Sequence, residues 1–162
     1  MKYVFGLLAL LAFLSLPIAQ AQDLAIGSKA PDFTLNKVGG GQVSLSQFSG
    51  KPVLLVFWTT WCPTCREEIP LLKRAYEEYK SKGLTLLSID VGENERKVAS
   101  FARKQKIPYA ILLDQNKNVT RSYKVKGIPK VLLLDIKGNI KYNDFGLPVG
   151  YQVLLNKLIK KG

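Results

Sequence analysis

Six apolar residues in a row, Val53-Leu54-Leu55-Val56-Phe57-Trp58, lead within four positions to Cys62-Pro63-Thr64-Cys65. A strand with no polar face is buried on both sides, so it belongs in the middle of a sheet covered above and below. From Cys62 to Lys82 the residues Ile69, Leu72, Tyr76 and Tyr79 recur at three- and four-residue steps, the spacing of a helix with one buried face. Gly83 supplies its cap. The two cysteines therefore stand where a central strand turns into a helix.

The remaining segments build outward from that unit. Asp32 to Leu35 and Gln42 to Leu45 flank Gly39-Gly40-Gly41 and read as a β-hairpin. Leu84 to Val91 is a second buried strand, and Glu95 to Lys106 an amphipathic helix that stops before Pro108. A short strand over Ala110 to Leu113 and a short helix over Asn118 to Tyr123 follow. Lys130 to Asp135 and Ile140 to Asp144 are strands joined by a Lys137-Gly138-Asn139 turn, and Val149 to Lys160 is a last amphipathic helix. This order predicts an α/β protein with one central mixed sheet and helices on both faces. No repeat, low-complexity tract or linker interrupts it.

The first residues read as an address. Lys2 precedes the apolar run Val4 to Leu16, Pro17 ends it, and Ala19-Gln20-Ala21 places small residues where a signal peptidase reads them. Cleavage is expected after Ala21, leaving residues 22–162 as one domain in an extracytoplasmic, periplasm-like and oxidising compartment. The alternative is an uncleaved helical anchor, but the run falls short of the roughly 20 apolar residues that span a bilayer. No cysteine follows the run, which excludes a lipoprotein anchor. The net charge of +12 is spread along the chain, with a denser patch from Arg96 to Lys106. It reads either as a solvated basic surface or as attraction to anionic membranes or acidic partner proteins; nucleic acid is not expected in that compartment.

The chain has two cysteines and no histidine. That removes Ser-His and Cys-His nucleophile pairs, histidine-ligated haem and most zinc-hydrolase sites. A structural disulfide between residues three apart closes so small a loop that it stabilises by only roughly 2 kcal/mol and pins no distant elements together. A zinc site lacks ligands, and haem attachment needs a histidine where Arg66 stands. Dithiol chemistry remains. At a helix N-terminus, unpaired N–H groups and the helix dipole favour a thiolate. A thiol moved from a pKa of about 8.5 to about 7 is half ionised at neutral pH. Cys62 is then the attacking nucleophile and Cys65, one turn further in, resolves the mixed disulfide.

The segment Phe57-Trp58-Thr59-Thr60-Trp61-Cys62-Pro63-Thr64-Cys65 resembles the active site of thioredoxin-fold proteins, and Trp58 and Trp61 match its two tryptophans. Pro70 matches the proline that kinks the first helix, and Gly127-Ile128-Pro129 the loop whose proline is cis and lies against the dithiol. Cytoplasmic thioredoxins carry a buried aspartate where this chain has Val56. The N-terminal hairpin and the αβ insertion from Gly92 to Leu113 resemble instead the TlpA/ResA-like group of the AhpC/TSA-redoxin superfamily, which includes reductases of cytochrome c maturation. The stretch Ile89-Asp90-Val91-Gly92-Glu93 also resembles that group. The resemblance runs from about Ala25 to the C-terminus and implies a thioredoxin-like fold.

It implies further roles. Glu68, three residues after Cys65, matches the group's glutamate and lies on the same helix face, where a carboxylate can take and return the Cys65 proton; an ordinary surface charge is the alternative. A cis Ile128-Pro129 bond offers the Ile128 backbone to a client peptide as a short strand edge, with Trp61, Pro63 and Thr64 lining the approach; an ordinary trans turn proline is the alternative. Lys130 stands where threonine is frequent, and either supports a thiolate or is solvated. The implied activity is extracytoplasmic thiol–disulfide exchange by a monomer without a cofactor. It reduces disulfide-bearing clients such as apocytochrome c, with electrons from a thiol-transporting membrane protein. Alternatives are a disulfide oxidase or isomerase, a redox-inactive binding module, and a peroxiredoxin-like peroxidase, which Thr59 suits but Leu55, in place of a proline, does not.

Overall fold

The computed structural model of the protein describes residues 24–160, so the expected signal sequence or anchor over residues 1–21 lies outside the described residues. The strands are β1 (Thr34–Lys37), β2 (Gln42–Ser44), β3 (Val53–Trp58), β4 (Thr85–Val91), β5 (Ala110–Asp114), β6 (Lys130–Leu134) and β7 (Ile140–Phe145). The helices are α1 (Pro63–Tyr79), α2 (Glu95–Gln105), α3 (Asn118–Ser122) and α4 (Tyr151–Ile159). Among the described residues the strands form one sheet in the order β2-β1-β5-β4-β3-β6-β7. β3, β4 and β5 run parallel, while β1, β6 and β7 are antiparallel to their neighbours. The hairpin strand β1 pairs with β5 of the insertion, so the two additions to the basic fold hold each other at one edge.

All six residues of β3 are buried, as a central strand with no polar face requires. Its side chains alternate between two cores. Val53, Leu55 and Phe57 pack with Leu112, Leu132 and Tyr123 beside α3. Leu54 and Val56 pack with Leu72 and Tyr79 of α1 and with Tyr151, Leu155 and Leu158 of α4. A third cluster gathers Trp58, Cys62, Cys65 and Val98 of α2 with Ile111 and Leu113 of β5. Trp58 pairs with Asp90 and Asp90 with Leu113, which puts all three on the sheet face that carries the cysteines.

Helix ends differ slightly from the sequence reading, for local reasons. α2 stops at Gln105 because Lys106 is left-handed, at φ 50°, and its N–H caps the preceding turn. α4 begins at Tyr151 because Gly150, at φ 72°, is its N-cap. Val149, expected inside that helix, is fully exposed before it. Among the described residues, no helix is long and apolar enough to cross a membrane.

Candidate active site

Cys62 is the N-cap of α1, and Pro63 takes the first helical position, where its missing N–H costs nothing. The Cys62 sulfur accepts a hydrogen bond from the Cys65 backbone N–H at 3.2 Å. The two cysteines form a disulfide, with their Cα atoms 5.3 Å apart. A disulfide sulfur carries no proton, so the Thr64 hydroxyl is the donor in its 3.3 Å contact with Cys62 Sγ. Both cysteines are buried, Cys62 at 4% exposure and Cys65 at 2%. The sulfur of Cys62 therefore sits in a ready-made anion site, the first turn of a 17-residue helix.

The residues expected to meet a client lie around it. The Ile128-Pro129 bond is cis, and the Ile128 carbonyl oxygen is 3.9 Å from Cys62 Sγ. Ile128 is half-buried against the cysteine cluster, and Pro129 is buried. Pro63 and Thr64 are exposed, and Trp61 projects into solvent at 61% exposure. Trp58 is buried instead, its ring 5.6 Å from that of Phe101. Lys130 stands over the Phe145 ring at 5.5 Å. It pairs with Phe57, on the sheet face away from the cysteines.

Glu68 is half-buried, and its Oε1 accepts the Leu147 N–H at 2.7 Å, tying α1 to the segment between β7 and α4. Its Oε2 is buried without a hydrogen-bond partner among the described residues. Burial raises the Glu68 carboxyl above its ordinary value, and the Leu147 N–H only partly offsets that. Its charge also reaches Tyr109, whose phenol is driven upward first by burial and then by Glu68.

Two acidic residues were not singled out as site residues by the sequence reading. Asp90 is fully buried at the end of β4, and Glu93 is nearly so. The Glu93 carboxylate receives the Thr60 N–H at 2.6 Å and the Thr60 hydroxyl at 2.9 Å. Lys97 pairs with it at 2.5 Å, and the Glu93 N–H donates to Asp90 Oδ1 at 3.1 Å. Arg66 Nε donates to the Thr60 carbonyl at 2.6 Å. Thr60, two residues before Cys62, is thus held at its N–H, its hydroxyl and its carbonyl. Burial, and next the neighbouring Glu93, push the Asp90 carboxyl up to about 8. Burial works against the Glu93 charge too, but Lys97 and Thr60 outweigh it and hold that carboxyl below its usual range. The arrangement therefore favours a proton on Asp90 and the charge on Glu93. The signal available in the sequence was an acid inside an apolar strand with a second acid three residues on.

The chain matches the AhpC/TSA family over residues 26–143. Curated relatives named thiol-disulfide oxidoreductase ResA include one from Geobacillus kaustophilus, 37% identical over 118 residues, covering 73% of this chain and 68% of the relative. The one from Bacillus subtilis is 32% identical over 122 residues, covering 75% and 68%. The crystal structure of the thioredoxin domain of a Bacteroides vulgatus thiol-disulfide oxidoreductase superposes with a TM-score of 0.76 at 30% identity, covering 84% of this chain and 99% of that one. The solution structure of a thiol:disulfide interchange protein from a Bacteroides species gives 0.72 at 34% identity, covering 84% and 89%.

Proposed function

The chain belongs to the AhpC/TSA family and is a thiol–disulfide oxidoreductase, and from that premise we propose that it works outside the cytoplasm as a reductant of disulfides in client proteins such as apocytochrome c. The reading rests on one observation: the Cys62 sulfur is the N-cap of α1 and takes the Cys65 N–H. In the reduced protein the same donors stabilise a Cys62 thiolate. That thiolate attacks one sulfur of the client disulfide. A Cys62–client bond forms, the client's own S–S bond breaks, and its second sulfur leaves as a thiolate. Cys65 then gives up its proton, with Glu68 as acceptor, and attacks Cys62 Sγ. The first client sulfur is released, and the Cys62–Cys65 disulfide closes with two electrons passed to the client.

Trp61, Pro63, Thr64, Ile128 and Pro129 form the surface on which the client lies. Recycling draws on a thiol-transporting membrane protein, and the exchange needs no cofactor. Residues 1–21 serve as the secretion signal, supported by the Val4 to Leu16 run and by Ala19-Gln20-Ala21, and residues 22–162 act as a monomer.

The test is trapping in the cell envelope that makes the protein. Cys65→Ser is expected to accumulate client proteins as mixed disulfides through Cys62, identifiable by mass spectrometry and lost in Cys62→Ser/Cys65→Ser. Absence of any such adduct contradicts the reading. A measured potential near about −270 mV fits a reductant, and one near about −120 mV makes the protein an oxidase instead.

A further inference from the structure

Beside the dithiol lies a groove of about 480 Å³ whose walls include Thr60, Arg66, Arg96, Lys97, Phe101 and Lys104. Its position follows from the chain. Thr60 and Arg66 bracket Cys62 and Cys65, and the rest belong to α2. Arg96, Ser100 and Lys104 are spaced by four, so they share one helix face. Two of the cations are already engaged. Arg66 holds the Thr60 carbonyl and lies over the Phe101 ring at 5.5 Å, and Lys97 is paired with Glu93. Arg96 and Lys104 are exposed, and among the described residues neither has a hydrogen-bonded or ion-paired carboxylate. The groove thus has an aromatic wall, a basic rim with two uncommitted cations, and Thr60, two residues from the Cys62 sulfur.

We propose that this groove binds an acidic segment flanking the disulfide of the client protein, and so selects clients by charge. The proposal deepens the reductase reading and rests on it. A partner whose sulfur reaches Cys62 lies across the exposed Trp61, and α2 packs beside the cysteines, so residues of the partner on the α2 side reach the groove. An open groove with Thr60 and Arg66, residues on either side of the dithiol in the chain, among its walls suits a polypeptide strand better than a lipid surface, which meets convex patches. Arg96 and Lys104 are two helical turns apart, about 12 Å along α2, which an extended chain spans in about three to four residues. The best fit is a pair of Asp or Glu residues at that spacing. Selection has to act where one disulfide protein is chosen among many, so the client is the occupant to which the groove is assigned. Opposite charge speeds encounter and fixes register, and both effects weaken as salt rises.

The test uses the full protein, reduced beforehand with dithiothreitol and freed of it. Two peptides carry the same disulfide, one flanked by two glutamates four residues apart and one by glutamines. Rates are followed by tryptophan fluorescence. The acidic peptide is expected to react about tenfold faster at low ionic strength, with the ratio falling toward one at high salt. Arg96→Gln/Lys104→Gln is expected to bring the ratio close to one at low salt. Lys51→Gln/Lys157→Gln, which removes the same charge elsewhere, is expected to preserve it. Equal rates for the two peptides, or the same loss in both double variants, overturn the proposal while leaving the reductase reading intact. If neither peptide is reduced, the reductase reading fails and the proposal falls with it. If there is no peptide preference, and vesicles containing phosphatidylglycerol bind the protein but not Arg96→Gln/Lys104→Gln, the groove belongs to the membrane and the proposal is wrong.

Discussion

At the scale of single residues, the site was most legible where the chemistry is covalent. Cys62, Cys65 and Pro129 could be placed from spacing and resemblance because few arrangements use those residue types there. Asp90 and Glu93 were not picked out, because a carboxylate inside an apolar strand acquires meaning only once its neighbours are known. They yield a clear pH test. Asp90 has an ordinary value of 3.8 in the unfolded chain and about 8 in the fold. Between those values the folded protein holds a proton that the unfolded chain has released, so stability falls as pH rises across that window and levels off above it. The absence of histidine removes the usual titrating side chain from the window, and the raised Glu68 carboxyl adds a slope of the same sign that remains in Asp90→Asn. Chemical denaturation of the oxidised protein from pH 5 to 8 is expected to show this fall, and Asp90→Asn to make it shallower; equal slopes contradict the assignment. Glu68 is tested by rate. Gln can still accept the Leu147 N–H, so Glu68→Gln is expected to fold normally by circular dichroism yet lose the pH dependence that the carboxylate imposes on disulfide reduction. An unchanged profile removes Glu68 from the mechanism.

At the scale of elements, β3 and α1 were legible because their patterns admit one reading: a two-sided apolar run, then a helical stripe. The ends of α2 and α4 were less so, since left-handed residues such as Lys106 and Gly150 set them, and a lysine carries no signal for that conformation. The connection from β7 to α4 was the least readable. It carries the partner of Glu68, a backbone N–H that every residue but proline possesses. Gly146 shows how tight this connection is. Its φ is 67°, and a Cβ there would collide with the Glu68 carboxylate. Gly146→Val is therefore expected to destabilise the fold by about 1–3 kcal/mol, measured by urea unfolding. A loss within error of zero would mean that this loop does not hold Glu68 in place.

At the scale of the whole molecule, the class of fold followed from the order of elements, and its two additions were visible as separate segments. Their mutual contact was not visible. Pairing of β1 with β5 joins segments more than seventy residues apart, and a four-residue, largely exposed strand such as β1 carries little register of its own. The basic charge had the opposite limitation. Its amount was plain in the sequence, but only the fold gathers part of it beside the cysteines. What the molecule accomplishes as a unit is to bring a helix N-terminus, a buried partner sulfur and an open lip of Trp61 and Ile128 to one end of the sheet. The most direct test is a titration of the reduced protein, following the alkylation rate of each cysteine by iodoacetamide against pH with mass spectrometry. The account predicts that Cys62 ionises well below the ordinary thiol value of about 8.5 and is modified much faster than Cys65. If both sulfurs ionise like free cysteine and react at equal rates, α1 does not activate Cys62 and the account is wrong.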